Sequence, residues 1–445
     1  MEIPPSTLEP AAVPTPPDNR FSTLITDLLP ICRSITGAGV TRTLERLQQV
    51  IPLLIREIPS GAPALDWTVP NEWNIRDAWV KNSRGERVID FKKSNLHVVS
   101  YSTPVNSTMT LDELKPHLFS LPGQPTAIPY RTSYYNESWG FCLSHEDFLK
   151  LEDGSYEVVI DSELKPGFLR YGELLIKGEV EEEILVTTHV CHPTMCNDNL
   201  SGLTVATLLA KTIAESSPHF SYRFLFIPGT IGSLAWLAAN EDHLAKIKCG
   251  LVLTGVGDPG SPTYKKSRRA DSVIDRVMEY VLTSGSPKFE ILNFSPFGYD
   301  ERQFCSPAYN LPVGCLMRTP HGEYPEYHTS LDNTDFIKLE SLQDTLRICL
   351  RCFELLENNR FYLNLFPKGE PQLGKRGLYQ AMGQQSKDRQ SLQLAMLWVL
   401  NYSDGSHDLL DISLKSTLPF DIVTAAAKLL EDCKVIRPIP STHAM

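Results

Sequence analysis

Apolar positions along the chain fall into distinct textures. From residue 21 to 58 they recur at helical spacing, first Leu24, Leu28, Leu29 and Ile31, then Leu44, Leu47, Val50 and Leu53, a pattern that predicts amphipathic helices. From Leu65 to about Gly172 the stretches are short and alternating, such as Asn95–Tyr101 and Tyr156–Ile160, and are broken by Pro, Ser, Asn and aromatic residues. That texture predicts a β-rich module. From Glu173 to Leu355 short apolar runs alternate with longer helical ones. Strands are predicted at Ile184–Thr188, Tyr222–Ile227, Leu251–Leu253 and Val313–Met317, and helices at Gly202–Ala214, Leu234–Asn240, Val273–Leu282 and Leu339–Leu356. The alternation implies an α/β fold, a mostly parallel sheet with helices on both faces. A polar stretch, Pro367 to Ser386, precedes a last unit at residues 387–437. Its helices, SLQLAMLWVL, Leu409–Leu414 and Pro419–Leu430, surround a loop at Asn401–Gly405 and suggest a winged-helix-like domain.

Composition narrows the classes. The 445 residues carry a formal net charge of −11, which argues against nucleic-acid and anionic-membrane partners, since both select Lys/Arg patches. The last unit has six Lys/Arg against seven Asp/Glu, so packing or homo-oligomerisation suits it better than DNA binding. No run approaches the ~20 apolar residues of a membrane span. The Pro-rich start, residues 1–19, lacks the basic and apolar regions of a signal peptide and reads as a disordered leader. Ten cysteines without framework spacing read as reduced thiols in a cytoplasmic protein.

The candidate chemistry centres on Ile184–Gly202, ILVTTHVCHPTMCNDNLSG. An apolar strand delivers His189 and His192 to its carboxyl end, and Asp198 follows just before an apolar helix. Imidazole and carboxylate at such a place are ligands for zinc or a similar divalent cation, in the crevice where open α/β sheets bind ligands. Cys191 and Cys196 are too close to the histidines for the usual structural zinc pairs. Gly229–Ser233 follows a strand and precedes a helix, the position of an anion-binding nest, but lacks the P-loop lysine.

Together with Tyr299-Asp300-Glu301-Arg302-Gln303-Phe304 and Tyr327-His328-Thr329-Ser330-Leu331-Asp332-Asn333, this segment resembles the zinc aminopeptidase clan. It is most similar to an aminopeptidase-like bacterial branch with an inserted β-domain and a C-terminal winged helix. The resemblance implies an α/β domain from residues 20–64 and 173–366, an insert at 65–172 and a winged-helix-like domain at 387–437. It makes His189, Asp198 and His328 metal ligands and places Asp300 in a motif that clan members usually continue with histidine, where Glu301 stands here. It further implies a cis peptide bond between Asp198 and Asn199.

The chain also departs from the clan. Where clan enzymes carry a Glu-Glu pair before Gly-Ser, this chain has Pro228-Gly229-Thr230-Ile231-Gly232-Ser233; the aspartate expected after the next strand is missing, and Cys191 replaces the carboxylate that orients the first histidine. One zinc is therefore expected rather than two. The expected reaction is metal-assisted hydrolysis of an amide in a small peptide or acyl-amino compound. Glu301, with Asp300 beside it, is the candidate proton carrier, and Glu326 a second one. Arg302 is a candidate clamp for a substrate carboxylate, and Arg131 a substrate contact from the β-module. His192 is expected as a loop hydrogen-bonder or a further ligand. The alternatives are a binding scaffold that lost catalysis with the Glu-Glu pair, and amide transfer or cyclisation at the same site.

Overall fold

The computed structural model describes residues 19–378 and 387–439; the leader expected at residues 1–19 lies, apart from Asn19, outside them. The chain divides into two compact units, Met1–Leu350 and Arg351–Met445.

The first unit is built on an eight-stranded sheet. Its order is Leu54–Pro59, Phe168–Ile176, Ser221–Ile227, Glu183–His189, Ile247–Leu253, Val313–Met317, Thr263–Lys265 and Glu290–Leu292. The four central strands run parallel, and antiparallel pairings join the first two strands and the last two to this core. All seven residues of Glu183–His189, of sequence EILVTTH, are buried. A strand covered on both faces has no solvent side to mark with polar residues, so it reads as an unbroken apolar and β-branched run. The helix Gly202–Ala214 packs on this strand and on Ile247–Leu253, and the helix Ile231–Ala239 packs on Phe168–Ile176. Leu185, Val252, Trp236, Phe304 and Val313 meet in one core cluster.

The chain leaves this sheet after Pro59 and returns at Phe168. In between, Arg87–Asp90, Glu72–Lys81, Ser155–Lys165 and Val105–Thr110 form a four-stranded antiparallel sheet, with its own core of Val80, Val98, Phe141, Val158 and Ile160. Two sequence expectations are corrected here. Leu54–Pro59, read as the end of a helical stretch, is an edge strand paired with Phe168–Ile176. Phe168–Gly172, read as the end of the β-module, belongs to the large sheet. The pairing between these two strands joins residues more than a hundred positions apart, and local periodicity carries no record of such a partner.

In the second unit Asp404–Asp408, Phe361–Asn364 and Ile436–Ile439 make a three-stranded antiparallel sheet. It accompanies the helices Lys387–Tyr402, Leu409–Ser416 and Phe420–Asp432, a winged-helix arrangement. Phe361–Asn364, assigned from sequence to the α/β domain, is a strand of this unit because its partners lie at the far end of the chain. No helix among the described residues is long and apolar enough to cross a membrane.

Candidate metal centre and adjoining cleft

His189 is the last residue of the central strand Glu183–His189, and the loop after it is tied down on every side. Asn199 donates from Nδ2 to the Thr188 hydroxyl (2.8 Å) and accepts from the Gly255 amide (3.2 Å). Asp332 accepts from the amides of Asn197 (2.6 Å) and Asp198 (2.9 Å), one on each carboxylate oxygen. Arg33, itself buried, donates from Nε to the carbonyl of His192 (2.8 Å). The Asp198–Asn199 peptide bond is cis.

His328 arrives from the other end of the unit. Its backbone is left-handed, with φ 54°, a region sparsely populated by residues with a Cβ. The β-module holds it there: the amide of Tyr130 donates to the His328 carbonyl (2.7 Å), and the amide of Ser330 to that of Ile128 (2.9 Å). An insertion that lies between Pro59 and Phe168, far upstream in the chain, thus sets the geometry of the final histidine.

These supports bring three imidazoles around one carboxylate. His189 Nε2 lies 2.8 Å from Asp198 Oδ1, His328 Nε2 3.0 Å from Oδ2, and His192 Nε2 3.9 Å from Oδ2. Burial, the largest influence, lowers the proton affinity of His189 and His192, the latter strongly. Burial also opposes ionisation of Asp198, but the surrounding histidines, His192 foremost, hold its carboxyl well below the usual range. Imidazoles of lowered proton affinity, His189 and His192, facing an ionised carboxylate together with His328 form a ligand set for a cation. Tetrahedral zinc with bonds of ~2.0–2.1 Å spaces its ligand atoms by roughly 3.3 Å; the ligand atoms of His189, His192 and Asp198 lie within 4.8 Å of one another, and His328 reaches the Asp198 oxygen that His189 does not. One support is missing: Nδ1 of His189 is buried without a hydrogen-bond partner, where metal-bound histidines usually donate to an orienting acceptor.

His192 therefore stands in the cluster, and its ring contacts Cys191 Sγ at 3.4 Å through Nδ1. Burial pushes the Cys191 and Cys196 thiols up to about 12, and all ten cysteines are free.

The acidic candidates have other partners. Glu301 is fully buried; it pairs with Lys265, and both its oxygens accept from the Tyr299 amide (3.2 and 3.1 Å). Those engagements make it a support for Tyr299, not a free proton acceptor. Asp300 is also fully buried, accepting from the Ser233 hydroxyl at 2.9 Å, with Oδ2 unpartnered. Burial raises its carboxyl to about 7. Asp258, which comes late for the missing ligand position, is consumed by the Thr319 hydroxyl and amide, the Gly260 amide and the Asn197 side chain. Glu326 lends its backbone carbonyl to Thr329.

Aromatic residues missed in the sequence enclose the cluster. Tyr299 stacks on His189 with ring centroids 3.7 Å apart, and Tyr327 on His328 at 3.9 Å. Tyr130 meets His192 and His328 at 5.2 and 5.1 Å. His321 stands near Tyr299, its Nε2 buried and unpartnered. The signal for Tyr299 and Tyr327 was their position beside Asp300 and His328; Tyr130 stands in an aromatic-rich block, Pro129 to Tyr135, whose composition reads as core and turn rather than pocket. Arg131, expected over the site, is exposed and lies across the Phe119 ring at 4.3 Å. Successive residues of an extended segment face opposite ways, so the β-module reaches the cluster through Tyr130 instead.

Beside the cluster is a cleft of about 290 Å³ whose lining includes Trp67, Tyr134, Tyr135, Thr230, Arg302 and Gln303. Gly229 forms part of its floor and lies so close to the Tyr299 ring that a Cβ there would collide with it.

The fold and the histidine–aspartate cluster define an aminopeptidase-like protein. Residues 22–359 match the model of a family described as a domain of unknown function, DUF4910, and residues 360–438 match a winged helix-turn-helix model. The chain belongs to the DUF4910 family. It is 53% identical over 414 residues, 93% of this chain and 95% of the relative, to a Clostridium acetobutylicum protein provisionally named a polysaccharide biosynthesis protein with an aminopeptidase-like domain. A crystal structure of a provisionally assigned peptidase from Clostridium acetobutylicum superposes with a TM-score of 0.89 at 51% identity, covering 95% of this chain and 96% of that one. The zinc aminopeptidase BSAP of Bacillus subtilis shares the fold, with a TM-score of 0.57 at 12% identity over 76% of this chain and 93% of its own.

Proposed function

We propose that this protein is a metal-dependent hydrolase that cleaves an amide bond in a small acyl-amino compound or short peptide. The observation that supports this most is the convergence of His189 and His328 on the two oxygens of Asp198, with His192 alongside. These residues would hold a single zinc ion, which supplies Lewis-acid polarisation of a carbonyl and activation of water near neutral pH. Tyr299, Tyr130 and Tyr327 restrict how a substrate enters and limit bulk water around the imidazoles. Glu301 acts as a positioning residue for Tyr299, and His321, with its unpartnered Nε2, is the side chain we assign to carry a proton near the cluster. The relative's name supports a precursor of a polysaccharide, such as an N-acylated sugar, as the acyl-amino compound. We place the enzyme in the cytoplasm, with a small-molecule substrate and no nucleic-acid or membrane partner.

A second reading is favoured by the absence of any carboxylate from Pro228 to Ser233 and by the engagement of Glu301 with Lys265: a scaffold that binds this class of compound without turning it over. One experiment separates the two. Protein purified without chelator is analysed for metal and assayed against a panel of N-acyl amino acids, dipeptides and N-acetylated sugars. The hydrolase reading expects about one metal per chain and turnover, with His189→Ala and His328→Ala losing both while keeping the wild-type circular dichroism. Metal without turnover supports the scaffold, and absence of stoichiometric metal sinks the enzyme reading.

A further inference from the structure

The cleft beside the cluster has chemistry of its own. Arg302, at the start of the short helix Glu301–Phe304, lines it and is half-buried. Its Nε donates to the Tyr299 carbonyl at 3.2 Å, yet among the described residues its guanidinium forms no ion pair, in a chain of net charge −11. Facing it are two large aromatics left open to solvent, Trp67 (48% exposed) and Tyr135 (47%), set edge to face at 5.4 Å. A half-buried guanidinium whose Nε is engaged still offers its two terminal NH2 groups as a fork for a carboxylate. Flat, exposed aromatic faces at a concave site are surfaces for a ring or for the apolar face of a sugar.

The cleft also communicates with the metal centre. The Tyr134 hydroxyl on its wall is 2.9 Å from that of Tyr130, whose ring touches His192 and His328. Gly229 on its floor abuts Tyr299, whose ring covers His189. One aromatic side chain on each route separates cleft from imidazoles.

We propose that this cleft is a recognition subsite for a carboxylate on a ring-bearing small molecule, the ring lying on Trp67 and Tyr135 and the carboxylate on Arg302. That it is a substrate subsite rests on reading the neighbouring cluster as the reaction centre; the binding chemistry does not. Two sources carry it, a sugar acid and an acylated aromatic amino acid.

The test is calorimetric binding to the full chain of two matched pairs, glucuronate against glucose and N-acetylphenylalanine against N-acetylphenylalaninamide. At least one acid should bind about tenfold to a hundredfold more tightly than its neutral counterpart, the range of a charged hydrogen-bonded contact. The acid that does so identifies the source. Arg302→Gln should abolish that preference, and Trp67→Ala should weaken both members of the pair. His189→Ala should retain the preference while losing metal, so a failed cluster reading leaves the subsite standing. Equal binding of acid and neutral partner in both pairs, or a preference that survives Arg302→Gln, overturns the proposal.

Discussion

Asp300 provides a sharp test because its side chain is sealed in the fold. Its carboxyl accepts one hydrogen bond, from Ser233, and its second oxygen has none. Burial is the dominant cause of the rise from an ordinary value of 3.8 to about 7; the Ser233 bond opposes it, Glu301 adds to it and Arg302 subtracts. A carboxyl whose folded value lies above its unfolded value binds its proton more tightly in the native state. Its contribution is therefore complete below the unfolded value and is lost as pH rises through the folded one. A rise from 3.8 to about 7, at about 1.4 kcal/mol per tenfold change in proton affinity, makes the full loss about 4 kcal/mol, of which about 3 kcal/mol falls between pH 5 and pH 8. Asp300→Asn keeps the oxygen that Ser233 needs and places an N–H where the acid's proton sits, but cannot ionise. The variant should therefore match the wild type near pH 4 and be more stable at pH 8 by several kcal/mol. Urea unfolding of both proteins at pH 5, 6, 7 and 8, with chelator present so that bound metal contributes nothing, measures this gap. A gap that stays constant across those four values would refute the reasoning, since the carboxyl would then be ionised, or exposed, in the folded state.

Glu301→Gln leaves Lys265, which is 4% exposed, without its charge partner, and breaking a buried pair from one side should cost about 3–5 kcal/mol. Urea unfolding measures this loss, and a metal-loaded preparation should retain its metal, because the partners of the Glu301 carboxylate among the described residues are Lys265 and the Tyr299 amide. Asp332→Ala removes the acceptor for two buried amides, those of Asn197 and Asp198, at about 1–3 kcal/mol each. The same variant should bind zinc more weakly in a competition titration with a chromophoric chelator, because the loop bearing Asp198 loses its clamp.

Much of the α/β frame could be read from local pattern. Glu183–His189 and Gly202–Ala214 stand where the apolar runs put them, because a strand buried on both faces and a helix buried along most of its length write their environment into consecutive residues. The strand end with His189, and the acidic loop after it, could be read for the same reason. Edge strands such as Leu54–Pro59 could not, since most of their residues face solvent and their identity depends on a distant pairing partner.

The amino-acid order was sufficient for the family, the central parallel strands, and the residue types able to hold a cation: these depend on short-range periodicity and on side-chain chemistry, both local quantities. Which of those side chains meet was settled by the folded path of the chain, over separations from a few residues to nearly two hundred. Folding set His192 beside Asp198, held the last histidine through the Tyr130 amide, laid Arg131, expected as a substrate contact, across Phe119, and turned Glu301 inward onto Lys265. Burial and ion pairing are properties of the three-dimensional neighbourhood, and a carboxylate in a polar stretch of sequence carries no mark of whether its neighbours in space will be water or a lysine.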